Sequence, residues 1–269
     1  MSASGRLLAS LGALVATTLT ACSVPTVLAE PETGPEVIYV DDFDGPARAP
    51  DGPWQAMTGG GGWGNNESQV YTDSPANARI DGDGHLAITA RRGPDGFTSA
   101  RLSTKDRLSV TYGRVSARIA VPAGTGLHPA FWMLGDDIDR VGWPESGEID
   151  IIETIGEASE YHTGVHVPQT SSERGQNISA SGAPTEPLAG TFRTYWLNKL
   201  PGRIESGIDD QRLFVVEPRD LAPDSRWVLD QPVHLLLNVA VGGNWPGPAD
   251  DSTPAENTML VDWVRVTAP

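Results

Sequence analysis

Cysteine is all but missing from this 269-residue chain. Cys22 stands alone, so no internal disulfide can form and the fold must rest on core packing. Positive charge is scarce as well: 19 Lys and Arg face 35 Asp and Glu, a formal net charge of −16. A surface this acidic repels phosphate backbones and excludes nucleic acid as a partner, while neutral sugar polymers are indifferent to it. Long apolar runs are absent except for Leu7–Thr20, which is too short and too small in side-chain volume for a membrane span. Helical stripes are lacking too. Nowhere does an i, i+3, i+4, i+7 apolar pattern persist for three turns free of Gly and Pro.

Turn-formers are abundant instead, with 30 Gly and 22 Pro, which favours many short strands joined by tight turns. Period-2 alternation supports this. Leu86, Ile88 and Ala90 share one face, as do Val115, Ala117, Ile119 and Val121. His234–Val241 and Met259–Val266 are β-branched or Leu-rich runs bounded by turns. The expected fold is all-β, an antiparallel sandwich of the jelly-roll kind.

The N-terminus reads as an address. Arg6 ahead of the apolar run forms the n- and h-regions of a secretory signal peptide over residues 1–21. Leu19-Thr20-Ala21-Cys22 resembles the bacterial lipobox, in which the Cys is lipidated and becomes the new N-terminus. Residues 22–36 carry three prolines and no core pattern, as a tether does, and 37–269 has the uniform texture of one domain. The expectation is an exported monomer, anchored at the cell surface through Cys22 or secreted, that meets the membrane only through its lipid. The alternative is an ordinary signal peptide cut near Ala29.

Chemistry concentrates in Trp143-Pro144-Glu145-Ser146-Gly147-Glu148-Ile149-Asp150-Ile151-Ile152-Glu153. On a regular strand Glu148 and Asp150 share a face, whereas Glu153 falls on the Ile149 face and buries a charge in the core. One inserted residue near Ile151–Ile152, a β-bulge, returns it to the carboxylate face. Glu148 and Glu153 are then roughly 13 Å apart along the backbone. Side chains leaning together from a concave sheet can close that to about 5–5.5 Å, the separation used by retaining glycosidases. Asp150 between them helps hold the two glutamates at different pKa values, one ionised and one protonated. A solvated acidic strand face is the bland alternative.

The neighbouring motifs decide. With GEIDIIE the chain resembles glycoside hydrolase family 16, whose active-site pattern is E-x-D-x-x-E in laminarinases and the shorter E-x-D-x-E in lichenases. The likeness extends through Gly61–Glu67 (GGWGNNE), Thr98–Arg101, Tyr112–Arg114 and Pro129–Leu134. It continues through Asp230–Pro232, Asn238–Gly247 and Val261–Val266, in consistent order over about residues 38–267. The resemblance implies a concanavalin-like jelly roll with a concave substrate cleft that cleaves β-1,3-glucan. It implies Glu148 as nucleophile, Glu153 as acid/base and Asp150 as the residue assisting the nucleophile. Asn65, Arg101, Trp132, Trp143, His166 and Trp245 fall at substrate-binding positions, and tryptophan suits the C–H faces of sugars. Trp54, Trp227 and Trp263 are expected in the core. No cofactor is expected for catalysis, while Asp42, the Gly84 carbonyl and Asp262 resemble a structural Ca²⁺ site of hard oxygen ligands.

Two departures stand out. Gly126-Leu127-His128-Pro129-Ala130 replaces the usual Gly-x-Trp-Pro-Ala and loses an aromatic near the cleft, and Asn198-Lys199 stands where a Glu-Trp pair is common. These bear on substrate preference rather than catalysis. A non-catalytic β-glucan-binding protein, and a hydrolase or transglycosylase for mixed-linkage glucan or a galactan, stay open at this point.

Overall fold

Apolar residues spaced two apart in this chain form strands that pack face to face. The computed structural model describes Met1 and residues 34–269, and within it residues 35–269 form one compact unit. The signal peptide, Cys22 and most of the tether lie outside the described residues. One sheet has seven strands, all antiparallel. Their order is Ser172–Gly182, Tyr161–Gln169, Glu148–Glu153, Leu127–Gly135, Val233–Val241, Arg101–Ser103 and Gln55–Met57. The second sheet has ten strands and is built around Gly113–Ala120, Glu256–Thr267 and Leu86–Gly93. It departs from a purely antiparallel pattern at one place, where Val70–Tyr71 pairs in parallel with Gly96–Ser99. Among the described residues helix is confined to the single turn Ile138–Val141 and the 3₁₀ turn Pro218–Asp220.

The core fills the space between the sheets. Ile149, Val165, Phe131, Met133, Leu235 and Leu237 come from the seven-stranded sheet, and Val115, Ala117, Ile119, Leu86, Ile88 and Val261 from the other. All are buried, as the alternation requires. Trp54 is buried with them, and Trp227 is half-buried and packed against the core. Trp263 is different. The pairing of its strand with Gly113–Ala120 slips between Val261 and Trp263, so Asp262 and Trp263 both turn away from the core and Arg265 lies over the indole. That bulge was not legible in the alternation, and the core expectation for Trp263 is corrected accordingly.

Gly164, on the strand beside the acidic one, pairs with Asp150 on one side and with Ser179 on the other, and lets the Ser172–Gly182 strand come close. A Cβ at this position would sit 2.7 Å from the Ile178 carbonyl oxygen and 2.8 Å from the Ser179 Cβ. Gly164→Ala should therefore cost about 1–3 kcal/mol by overpacking. A melting temperature several degrees lower, read by calorimetry, is the expected result, and an unchanged one would show that the ladder is looser than described.

Candidate active site

The acidic strand has the bulge that its spacing demands. Glu148 pairs with His166 and Leu134, and Asp150 with Gly164 and Trp132. The ladder then slips on both sides before Glu153, which pairs with His162 and Ala130. The extra residue returns Glu153 to the face of Glu148 and Asp150, while Ile149, Ile151 and Ile152 are buried. That face forms the floor of a cleft of about 820 Å³.

All nine residues expected at the site meet in this cleft: Glu148, Asp150, Glu153, Asn65, Arg101, Trp132, Trp143, His166 and Trp245 line it. Arg101 is clasped between two indoles, its guanidinium 4.9 Å from the Trp63 ring centroid and 4.5 Å from that of Trp132. One face of Trp132 therefore holds Arg101 rather than sugar, and its Nε1 donates to Asn238 Oδ1 at 2.7 Å. Trp143 and Trp245 are each 43% exposed, unusual for indoles in a folded domain. Trp143 leans over His166 at 5.7 Å, and Trp245 meets the rings of His128 and His162 edge to face at 5.2 and 4.6 Å.

Two loops are stitched together to place these groups. Asn244 N–H donates to the Asn65 carbonyl at 2.9 Å, and Asn66 Nδ2 donates to Asn244 Oδ1 at 2.8 Å. Gly243, at φ 116°, permits the approach, since a Cβ there would lie 2.8 Å from Asn65 Nδ2.

The three carboxyl groups differ sharply in proton affinity. Burial and then the charge of Glu153 push Glu148 up to about 8, against the pull of Arg101, Trp143 and His128. Burial, Glu153 and Glu148 raise Asp150 well above the usual carboxylate range. Burial would raise Glu153 too, but the hydrogen bond from His128, with the charges of His128, His166 and His162, brings it below its ordinary value. Without sugar, then, the negative charge is most at home on Glu153 and a proton on Glu148. His128 Nε2 lies 2.8 Å from Glu153 Oε1, and His166 Nε2 lies 3.8 Å from Glu148 Oε1 and 3.6 Å from Asp150 Oδ2.

Reading the chain alone missed His128, His162, Trp63 and Asn238 as members of the site. His128 had a signal: it shares the strand face of Ala130, Trp132 and Leu134, two residues apart each time. Among the described residues one group could hold a cation by geometry, since ligand atoms of Glu148, Asp150 and His166 lie within 4.8 Å of one another. Its His166 Nε2 already accepts from Asn177 Nδ2 at 3.0 Å, and buried carboxyls that keep their protons are poor metal ligands. The residues expected to hold calcium fare no better as a cradle. Asp262 is paired with Arg118 and Asp42 is exposed, so with the Gly84 carbonyl they do not fit the six to eight oxygens that Ca²⁺ takes in this structure.

Comparison with known proteins agrees with the geometry. Residues 65–265 match the family profile described as glycosyl hydrolases family 16. A β-glucanase of Rhodothermus marinus is 37% identical over 250 residues, covering 86% of this chain and 84% of the relative. The solved laminarinase catalytic domain of Thermotoga maritima is 33% identical with a TM-score of 0.79, over 87% of this chain and 98% of that one. The endo-β-1,3-glucanase of Pyrococcus furiosus is 36% identical with a TM-score of 0.79, over 86% of this chain and 94% of that structure.

The raised Glu148 pKa has a consequence for stability. A carboxyl that keeps its proton in the fold favours the fold at low pH, and that contribution fades as pH climbs from 4.5 to about 8. Glu148→Gln removes this loss. The variant should melt close to the parent near pH 4.5 and several degrees above it near pH 8 while losing activity. Melting curves at the two pH values check this, and a variant that melts below the parent near pH 8 would contradict the buried-carboxyl account.

Proposed function

The chain belongs to glycosyl hydrolase family 16, and from that premise we propose that it cleaves internal β-1,3 linkages of a laminarin-like glucan with retention. The bulged strand carries the reading, because it brings Glu148, Asp150 and Glu153 onto one face of a cleft flanked by exposed indoles. A polymer of neutral sugars suits that cleft: Trp143 and Trp245 offer flat apolar faces, and Asn65, His166 and Asn177 offer hydrogen bonds to hydroxyls.

In the first half-reaction the Glu148 carboxylate attacks the anomeric carbon as the bond to the glycosidic oxygen breaks. Glu153 gives its proton to that leaving oxygen. In the second, water attacks the glucosyl–Glu148 ester, Glu153 takes the water's proton, and Glu148 leaves as a carboxylate. The proton that the crowded carboxyls share must sit on Glu153 when the sugar is attacked, which changes no overall proton count. Arg101 favours that placement by stabilising the Glu148 anion, while Asp150, whose proton affinity is raised by burial, shares the strand face with that carboxylate.

Incubation with laminarin, lichenan, agarose and κ-carrageenan, with products sized over time, should show a ladder of oligosaccharides from laminarin in particular. Proton NMR should show the β-anomer first. Glu148→Gln should raise the barrier by several kcal/mol, about a thousandfold or more in rate. The α-anomer appearing first would remove the retaining mechanism, and near-normal turnover by Glu148→Gln would remove its nucleophile.

The chain's first residues support export and anchoring through a lipid on Cys22. Two or three acyl chains hold firmly where one is marginal. Cys22→Ser should move the protein from the membrane fraction to the medium, and an unmodified N-terminus near Glu30 by mass spectrometry would refute the anchor.

A further inference from the structure

His128 stands where the resemblance leads one to expect tryptophan, and no part of the reaction written above requires it. It is 9% exposed, and its Nε2 lies 2.8 Å from Glu153 Oε1. Three features argue that this contact is built rather than incidental. The ring is braced edge to face by Trp245 at 5.2 Å. Its strand pairs directly with the acidic one, Ala130 lying opposite Glu153 two residues beyond His128. Finally, its Nδ1 is buried without a partner among the described residues, so the carboxylate is the protein group that this imidazole serves.

We propose that His128 is the positioning residue of the acid/base: its Nε2–H fixes Oε1 of Glu153, leaves the other carboxyl oxygen to the glycosidic oxygen, and sets the pH at which Glu153 parts with its proton. The proposal rests on the reading of Glu153 as acid/base. The proton delivered to the leaving group comes from the free oxygen of Glu153 and is replaced there by one from the attacking water. His128 keeps its own proton at Nε2 throughout. The charges that act on the ring are those of Glu153 and Glu148 on the acidic strand, Glu67 on the Asn65 loop, and His162 on the far side of Glu153. Burial alone would lower the His128 pKa, and the hydrogen bond and charge of Glu153 more than offset it. The same bond holds Glu153 down.

The sign of the effect follows. Without a donor at Oε1 the protonated carboxyl is favoured, so Glu153 keeps its proton to higher pH. In His128→Phe the acidic limb of kcat/KM, which Glu153 sets in the empty site, should move up by about one pH unit, and in His128→Gln, which keeps an amide donor, by less. Hydrolysis of laminarin should fall about tenfold or more in the Phe variant relative to a substrate that needs no acid. A laminaribioside with a dinitrophenolate leaving group is that substrate, because its leaving group departs without protonation. Both the limb position and the ratio of the two rates are independent of the fraction of enzyme that folds.

Glu153→Ala, run in parallel, separates the two layers. If azide restores turnover of the dinitrophenyl substrate and yields a β-glycosyl azide, the acid/base reading stands and His128 is judged on its own limb and ratio. An unmoved or lowered limb, or an equal loss on both substrates, then overturns the proposal. If azide does not restore turnover, Glu153 is not the acid/base and the proposal falls with it.

Discussion

A sheet strand points its side chains alternately to its two faces, so Glu148 and Glu153, five residues apart, share a face only because one residue between them is out of register. Everything in the cleft depends on that slip. It lets three isoleucines seal the core side of the strand while three carboxyl groups crowd the other. Gly164 allows the Ser172–Gly182 strand to approach its neighbour closely, and that strand carries Asn177 to His166. On the opposite side, Ala130 is small enough to leave room for His128 to reach Glu153.

Crowding is also the source of the chemistry. Carboxyl groups taken out of water and placed side by side cannot all ionise, so the cluster holds protons at pH values where isolated glutamates have lost them. The surrounding donors sort the groups. Arg101, clasped by Trp63 and Trp132, favours charge on Glu148, whereas His128 favours charge on Glu153. In the empty site His128 prevails, and turnover requires the opposite order. Binding of sugar can supply the difference, because it displaces water from Glu153 and presents the oxygen that takes its proton. Such a site works against the stability of the fold that contains it, as buried ionisable groups generally do.

Much of this was legible in the chain. Alternation gave the sandwich, and the parity of Glu148, Asp150 and Glu153 gave the bulge, because no other strand geometry keeps a charge out of the core. Motif order brought Asn65, Arg101, Trp143, His166 and Trp245 to one cleft from strands and loops far apart in sequence. What escaped was set by contacts across strands. A bulge with no charge to betray it turned Trp263 outward. Arg118 met Asp262 across two strands, at the place where calcium was expected. Trp132 reached the cleft, but with Arg101 on its face. His128 looked like a lost aromatic because its partner lies 25 residues away in the chain and is adjacent only after the two strands pair.

The central claim is that Glu148, although its proton affinity is raised in the empty site, is the group that attacks the sugar. Trapping tests this most directly. A 2-deoxy-2-fluoro laminaribiosyl fluoride slows both half-reactions but carries a leaving group good enough to let the first proceed, so the ester accumulates. Digestion and tandem mass spectrometry of the trapped enzyme should place one glycosyl unit on Glu148, in the peptide that spans the acidic strand. A label on Glu153 or Asp150 would contradict the account.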